Sequence, residues 1–172
     1  MRLQYFLLAI VAIVLSSCNR NIISDRNWDT VLFDGSQAVK YEQICYHDFL
    51  GPSTDGSVFE FYQYSVSEIN DIDISLQYPN FEIMFDSSEL SNISYSHWKN
   101  TPINESVEDS SSIMFIVKNS AYRKYSCSAT FLEQDLLSND DCFYSFFGAY
   151  PIGYYIFIYS PVSKILYIII KK

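Results

Sequence analysis

The sequence predicts a mainly-β fold, an antiparallel sandwich or small barrel-like sheet with at most one or two short helices. Three observations carry this. Fifteen tyrosines and thirteen phenylalanines, with many isoleucines beside them, favour strands over helices, because aromatic and β-branched side chains suit a pleated, half-buried surface. The apolar runs are short, and several alternate with polar residues at the period of two that a strand requires. Clusters of Ser, Asn, Asp, Gly and Pro recur between the runs at the spacing of a meander, the pattern of antiparallel all-β domains.

Taken in order, Asp29 to Phe33 and Ala38 to Tyr46 flank Asp34-Gly35-Ser36, a turn composition that makes them a candidate hairpin, with a helical turn or two over Ala38 to Cys45 as the alternative. Gly51-Pro52-Ser53-Thr54-Asp55-Gly56 is the clearest loop, since both residue types punctuate regular structure. Val58 to Val66 beyond it is a strand. Phe59 and Phe61 are expected on one face and Tyr62, Tyr64 and Val66 on the other, so both faces are expected to be at least partly covered. Ile72 to Leu76 and Phe81 to Phe85 each alternate apolar with polar. Between them Gln77-Tyr78-Pro79-Asn80 supplies turn chemistry, so the pair reads as a second hairpin.

Ile93 to Trp98 is a further short alternating piece, ending at Lys99-Asn100-Thr101-Pro102. Asn104 to Ser112 is acidic and serine-rich; Ser106 and Asp109 have the spacing of a helix-starting box, but the composition favours a loop. Ile113 to Val117, Tyr122 to Leu132, Cys142 to Phe147, Gly153 to Tyr159 and Ile165 to Ile170 follow as strands, with Phe131 to Leu137 as a candidate short helix. The last two are apolar on both faces and belong in the middle of a sheet. Lys171 and Lys172 close the chain as charged gatekeepers. No internal repeat is visible.

Residues Leu3 to Leu15 are apolar apart from Gln4, with Arg2 before them and Ser16 and Ser17 after them. That is the layout of a secretory signal peptide, too short for a helix crossing the hydrocarbon core, which needs roughly 20 apolar residues. Leu15-Ser16-Ser17-Cys18 resembles the lipobox of bacterial lipoprotein leaders, which reads aliphatic, small, small, cysteine. The resemblance covers the first eighteen residues. It implies a cut before Cys18, a diacylglyceryl group on the Cys18 sulfur and an acylated new amino terminus. Several acyl chains anchor stably where one holds marginally. In Gram-negative lipoproteins an aspartate after the cysteine tends to retain the protein at the inner membrane. Asn19 stands there, so the resemblance implies the periplasmic face of the outer membrane. The plain alternative is an ordinary signal peptide with Cys18 as a thiol.

The expected organisation is therefore a leader over 1–17, a polar tether over 18–27, and one β-rich domain over 28–172, large enough to bury a core. Removing the leader removes Arg2 alone among the charges, leaving ten basic against twenty acidic residues. Such a balance disfavours nucleic-acid phosphate and anionic lipid as partners and favours a basic protein. No cofactor is implied.

The remaining cysteines are Cys45, Cys127 and Cys142, which an exported protein can oxidise. If the strands holding Cys127 and Cys142 pair as neighbours, these two come within bridging distance, and the expected disulfide is Cys127–Cys142 with Cys45 left over. The plain alternative is three buried thiols packing as small apolar residues.

Cys45, His47 and Asp48 cluster in sequence, but these are too few ligands for a structural zinc site, and a loop end is the ordinary reading. His97 beside Trp98 reads as packing at a strand end. Asp71 with Asp73, and Asp140 with Asp141, lack the ligand spacing of a calcium loop and read as turn residues. No nucleophile elbow, phosphate-binding glycine loop or zinc-protease helix motif occurs. The expected function is thus a lipid-anchored, non-enzymatic, protein-binding domain, in its sharper form an immunity protein against a secreted toxin. The alternative is a β-barrel or sandwich that carries a lipid or other apolar ligand.

Overall fold

The computed structural model describes residues 28–33, 39–51, 55–67, 77–85, 87–102, 141–149 and 153–172. Among them the fold is mainly antiparallel β, with two short helices, as the composition predicted. The elements are helix α1 (Trp28–Leu32), strands β1 (Lys40–Asp48) and β2 (Phe59–Ser67), a 3-10 turn (Phe81–Ile83), helix α2 (Ser87–Leu90), and strands β3 (Ser94–Tyr95), β4 (Lys99–Asn100), β5 (Phe143–Ala149), β6 (Gly153–Ser160) and β7 (Ile165–Lys171). All seven strands belong to one sheet, ordered β1-β2-β7-β6-β5-β3, with β4 also paired to β5.

The C-terminal strands sit centrally because they alone are apolar at nearly every position. β7 lies between β2 and β6, antiparallel to both. Alternation sends Tyr155, Phe157, Tyr159, Leu166, Ile168 and Ile170 to one face. Ile156, Ile158, Tyr167 and Ile169 go to the other. β2 divides as expected, with Tyr62, Tyr64 and Val66 on the first face and Phe61, with Phe59 packed against its cluster, on the second. Both faces are therefore buried, as continuous apolar strands require.

The first face is covered by α1 and the segment from Tyr78 to Trp98. Trp28 lies over Phe157 and Tyr155, with ring centroids 5.0 and 5.5 Å apart. Phe81 packs on Phe147 at 5.1 Å. The two pieces of this layer are also hydrogen-bonded to each other: Asn80 N donates to Val31 O at 2.8 Å, and Trp98 Nε1 donates to Leu32 O at 3.0 Å.

Two expected hairpins are corrected. Asp29 to Phe33 is not a strand: Trp28, Val31 and Leu32 recur at the spacing of one helical face, and all three are buried in α1, so burial on the sheet decides the conformation. Within Ala38 to Tyr46 the described residues from Lys40 onward are strand rather than helix, and their partner is β2. Phe81 to Phe85 is not a strand either. Asn80 Oδ1 accepts from Glu82 N at 3.1 Å, and Met84 N donates to Phe81 O at 3.0 Å, so side-chain capping turns the chain where alternation suggested extension. Ile72 to Leu76, the box at Ser106 and Asp109, the strands over 113–117 and 122–132, and the helix over 131–137 lie outside the described residues.

β1 carries a bulge. The register steps from Gln43 opposite Tyr64 to Cys45 opposite Gln63, leaving Ile44 as the extra residue. An extra residue inverts the alternation. Tyr41 packs against the first-face cluster, whereas Cys45, four positions later, is buried in the second-face cluster.

Candidate functional site

The β1–β2 hairpin ends in an acidic and aromatic rim. Glu60 and Tyr62 are two apart and share the first face of β2, and register places Tyr46 opposite Tyr62. Their rings lie 4.9 Å apart. The Glu60 carboxylate accepts from the Tyr46 hydroxyl at 3.2 Å and from the Tyr62 hydroxyl at 3.1 Å, an arrangement that holds the charge in one orientation. Burial, then the adjacent Glu60 charge, pushes ionisation of the Tyr62 hydroxyl well above its ordinary range, so this tyrosine stays a neutral donor. At the end of β1 the Asp48 carboxylate accepts from Leu50 N at 3.0 Å and Gly51 N at 2.9 Å. Gly51 has φ +66°, a left-handed conformation that glycine adopts without strain. Tyr46 and Leu50 are large apolar side chains exposed near this end of the hairpin, and Ile44 is exposed at the bulge in the middle of β1. Fixed carboxylate charge beside exposed apolar area is the chemistry of a protein contact, with basic groups as its complement.

The expected cysteine pairing is overturned. Cys45 is disulfide-bonded, and Cys142 is a fully buried thiol. The expectation required the strand holding Cys127 to lie beside β5. That place is filled: β6 pairs along one side of β5, and β3 and β4 pair along the other. The Cys142 backbone is engaged with Thr101, which donates from its amide at 2.9 Å and from its hydroxyl at 3.1 Å to Cys142 O. Cys18 and Cys127 lie outside the described residues, as do Asp71, Asp73 and Asp140.

His47 packs edge-on against Phe49, ring centroids 4.5 Å apart, while Asp48 serves the loop. His97 Nδ1 lies 3.2 Å from Pro79 O. Among the described residues no three His, Cys, Asp or Glu side chains are placed to hold a metal ion. The Glu60 arrangement was missed in the sequence. Period two shows that Glu60 and Tyr62 are neighbours, but Tyr46 joins them only through a register that the bulge shifts.

On the first face, aromatic residues of β2 and β6 are in contact with one another or with Phe33 beside α1. Tyr62 stacks on Tyr64 at 6.2 Å, Tyr155 on Phe157 at 6.5 Å, and Phe33 meets Tyr159 at 5.4 Å. Burial pushes the Tyr159 hydroxyl up to about 12. No helix among the described residues is long and apolar enough to cross a membrane. No protein-family model, no curated protein and no solved structure matches this chain.

Proposed function

We propose that this chain is a lipid-anchored lipoprotein of the cell envelope whose β-rich body binds another protein. The carrying observation is Leu15-Ser16-Ser17-Cys18 at the end of the apolar run Leu3 to Leu15. A cysteine at the junction between a leader and a polar tether is the acceptor such an anchor uses, and the polar residues over 19–27 give the tether its reach. Asn19 after the cysteine favours the outer membrane, with the body facing the periplasm.

The binding role is supported by charge and by the β1–β2 rim. A formal net charge of −9 repels nucleic acid and anionic lipid and attracts basic protein. The rim adds a fixed carboxylate and exposed apolar side chains at one end of the sheet. The partner proposed is a basic protein, in the sharper form a secreted toxin that this domain neutralises, and the domain is proposed to be non-enzymatic. Pull-down with the membrane-extracted protein from envelope fractions at low and high salt tests this. A basic partner retained at low salt and released at high salt is the expected result. Recovery of no protein at low salt overturns the binding role. Glu60→Gln is expected to weaken capture about tenfold if the rim makes the contact, and unchanged capture removes the rim from the interface.

A further inference from the structure

We infer that the corner where α1 meets β1 and β6, at the other end of β1 from the Glu60 rim, is a binding site for a primary ammonium group. One carboxylate and two hydroxyls make it. Phe33 N donates to Asp29 O at 3.1 Å, the hydrogen bond of a helical turn, so the Asp29 and Phe33 side chains share one side of α1. The Phe33 ring in turn meets Tyr41 at 6.4 Å and Tyr159 at 5.4 Å. Register completes the corner: Tyr41 stands opposite Val66, and Leu166 lies between Tyr64 and Tyr159. Val66 and Leu166 are buried and apolar, and the Tyr64 hydroxyl donates to Gln43 Oε1 at 3.4 Å.

The other two hydroxyls lack such a partner. That of Tyr41 is buried with no hydrogen bond. Tyr159 is 2% exposed, and among the described residues no hydrogen bond engages its hydroxyl. Burying an unpaired polar group costs free energy, and two of them beside a carboxylate point to a partner supplied from outside. Asp29 is exposed, accepts from Thr30 Oγ1 at 3.5 Å, and is in no ion pair among the described residues. Its charge reaches the corner: ionisation of Tyr41 is pushed up by burial, then by Asp29, then by Tyr159. Both tyrosines therefore stay neutral, each able to accept a hydrogen bond.

A primary ammonium brings three N–H donors and one positive charge, which match the Asp29 carboxylate and the two phenol oxygens. The rings of Phe33, Tyr41 and Tyr159 also favour a cation beside them. A quaternary ammonium has no donor and leaves both hydroxyls unpaired, and an anion is repelled by Asp29. The basic partner proposed above supplies the group as a lysine side chain, and this choice of source alone rests on the protein-binding reading.

Titration of the full chain with n-butylammonium, followed by NMR of the tyrosine rings, tests the site. Saturable shifts of the Tyr41 and Tyr159 ring signals are expected, and none with tetramethylammonium at equal ionic strength. Asp29→Asn and Tyr159→Phe are each expected to weaken binding at least about tenfold. Both should fold, since Asp29 is exposed and Tyr159→Phe removes no hydrogen bond, and circular dichroism checks this. No saturable shift, an equal response to both cations, or wild-type affinity in either variant overturns the site. Pull-down from envelope fractions with Asp29→Asn separates the sources. Reduced capture assigns the ammonium to a partner's lysine. Unchanged capture, with butylammonium binding lost in the same variant, keeps the site, assigns it a free amine and overturns the lysine source. Recovery of no protein by the wild-type chain overturns the protein-binding reading and leaves the titration standing.

Discussion

The two tryptophans should respond unequally to one substitution. Trp28 and Trp98 are both buried in the layer over the first face. Trp98 Nε1 donates to Leu32 O at 3.0 Å, whereas Trp28 Nε1 is buried without a hydrogen-bond partner. Replacing either by Phe removes ring atoms and leaves a small void, at about 1–2 kcal/mol. At Trp98 the change also removes the donor from a buried carbonyl, a further cost of about 1–3 kcal/mol. At Trp28 it instead removes an unpaired N–H whose burial costs about 1–3 kcal/mol, which offsets the lost packing. Trp28→Phe is therefore expected within about 1 kcal/mol of wild type, and Trp98→Phe at least about 2 kcal/mol below it. Trp28→Ala, which also loses the contacts with Phe157, Tyr155 and Phe81, is expected to cost about 3–5 kcal/mol. Urea unfolding followed by far-ultraviolet circular dichroism measures all three. Trp28→Phe as costly as Trp98→Phe would refute the hydrogen-bond reasoning.

Gly153 opens β6 at φ +103°, and a Cβ there would stand 2.6 Å from Lys171 O, so Gly153→Ala is expected to lower stability by about 2 kcal/mol or more, measured by the same unfolding curves. Stability should also fall in alkali. The Tyr159 hydroxyl is raised from the ordinary tyrosine value near 10 to about 12, and Tyr41 and Tyr62 are raised as well, each by burial first. The unfolded chain therefore releases these protons at lower pH than the folded one. The stabilisation is fully present below pH about 10 and is lost as pH rises toward 12 and beyond. Tyr159→Phe should flatten part of that decline in unfolding curves taken across this range, and an unchanged slope would count against the assignment.

The central strands were legible in the sequence because nearly every position of β6 and β7 argues the same way. Side chains such as Tyr155, Ile156, Phe157 and Ile158 suit a strand wherever they point, and apolar character on both faces places that strand in the middle. α1 was not legible. Five residues hold only one helical repeat, Trp28 to Val31 and Leu32, and the flanking Asp34-Gly35 supplies an equally good hairpin turn. Phe81 to Phe85 misled for a related reason: alternation is evidence of extension only where nothing local competes, and the Asn80 side chain competes for the backbone. The cysteine pairing failed at a longer range. Which strand lies beside β5 is a matter of sheet order, and β3 and β4, two residues each, hold that edge without any signal strong enough to claim it. The Glu60 rim depends on the Ile44 bulge, and no turn residue or glycine marks that bulge. Cys18, by contrast, is a local chemical signal complete within four residues.

Incorporation of labelled palmitate into wild-type and Cys18→Ser protein made in the same bacterial host tests the anchor most directly. Wild-type chain is expected to carry the label, to lack residues 1–17, and to partition with membranes. Cys18→Ser is expected to lose the label and to accumulate uncleaved or soluble. Equal labelling of the two, or an unlabelled wild-type chain released in soluble form, would contradict lipid anchoring at Cys18.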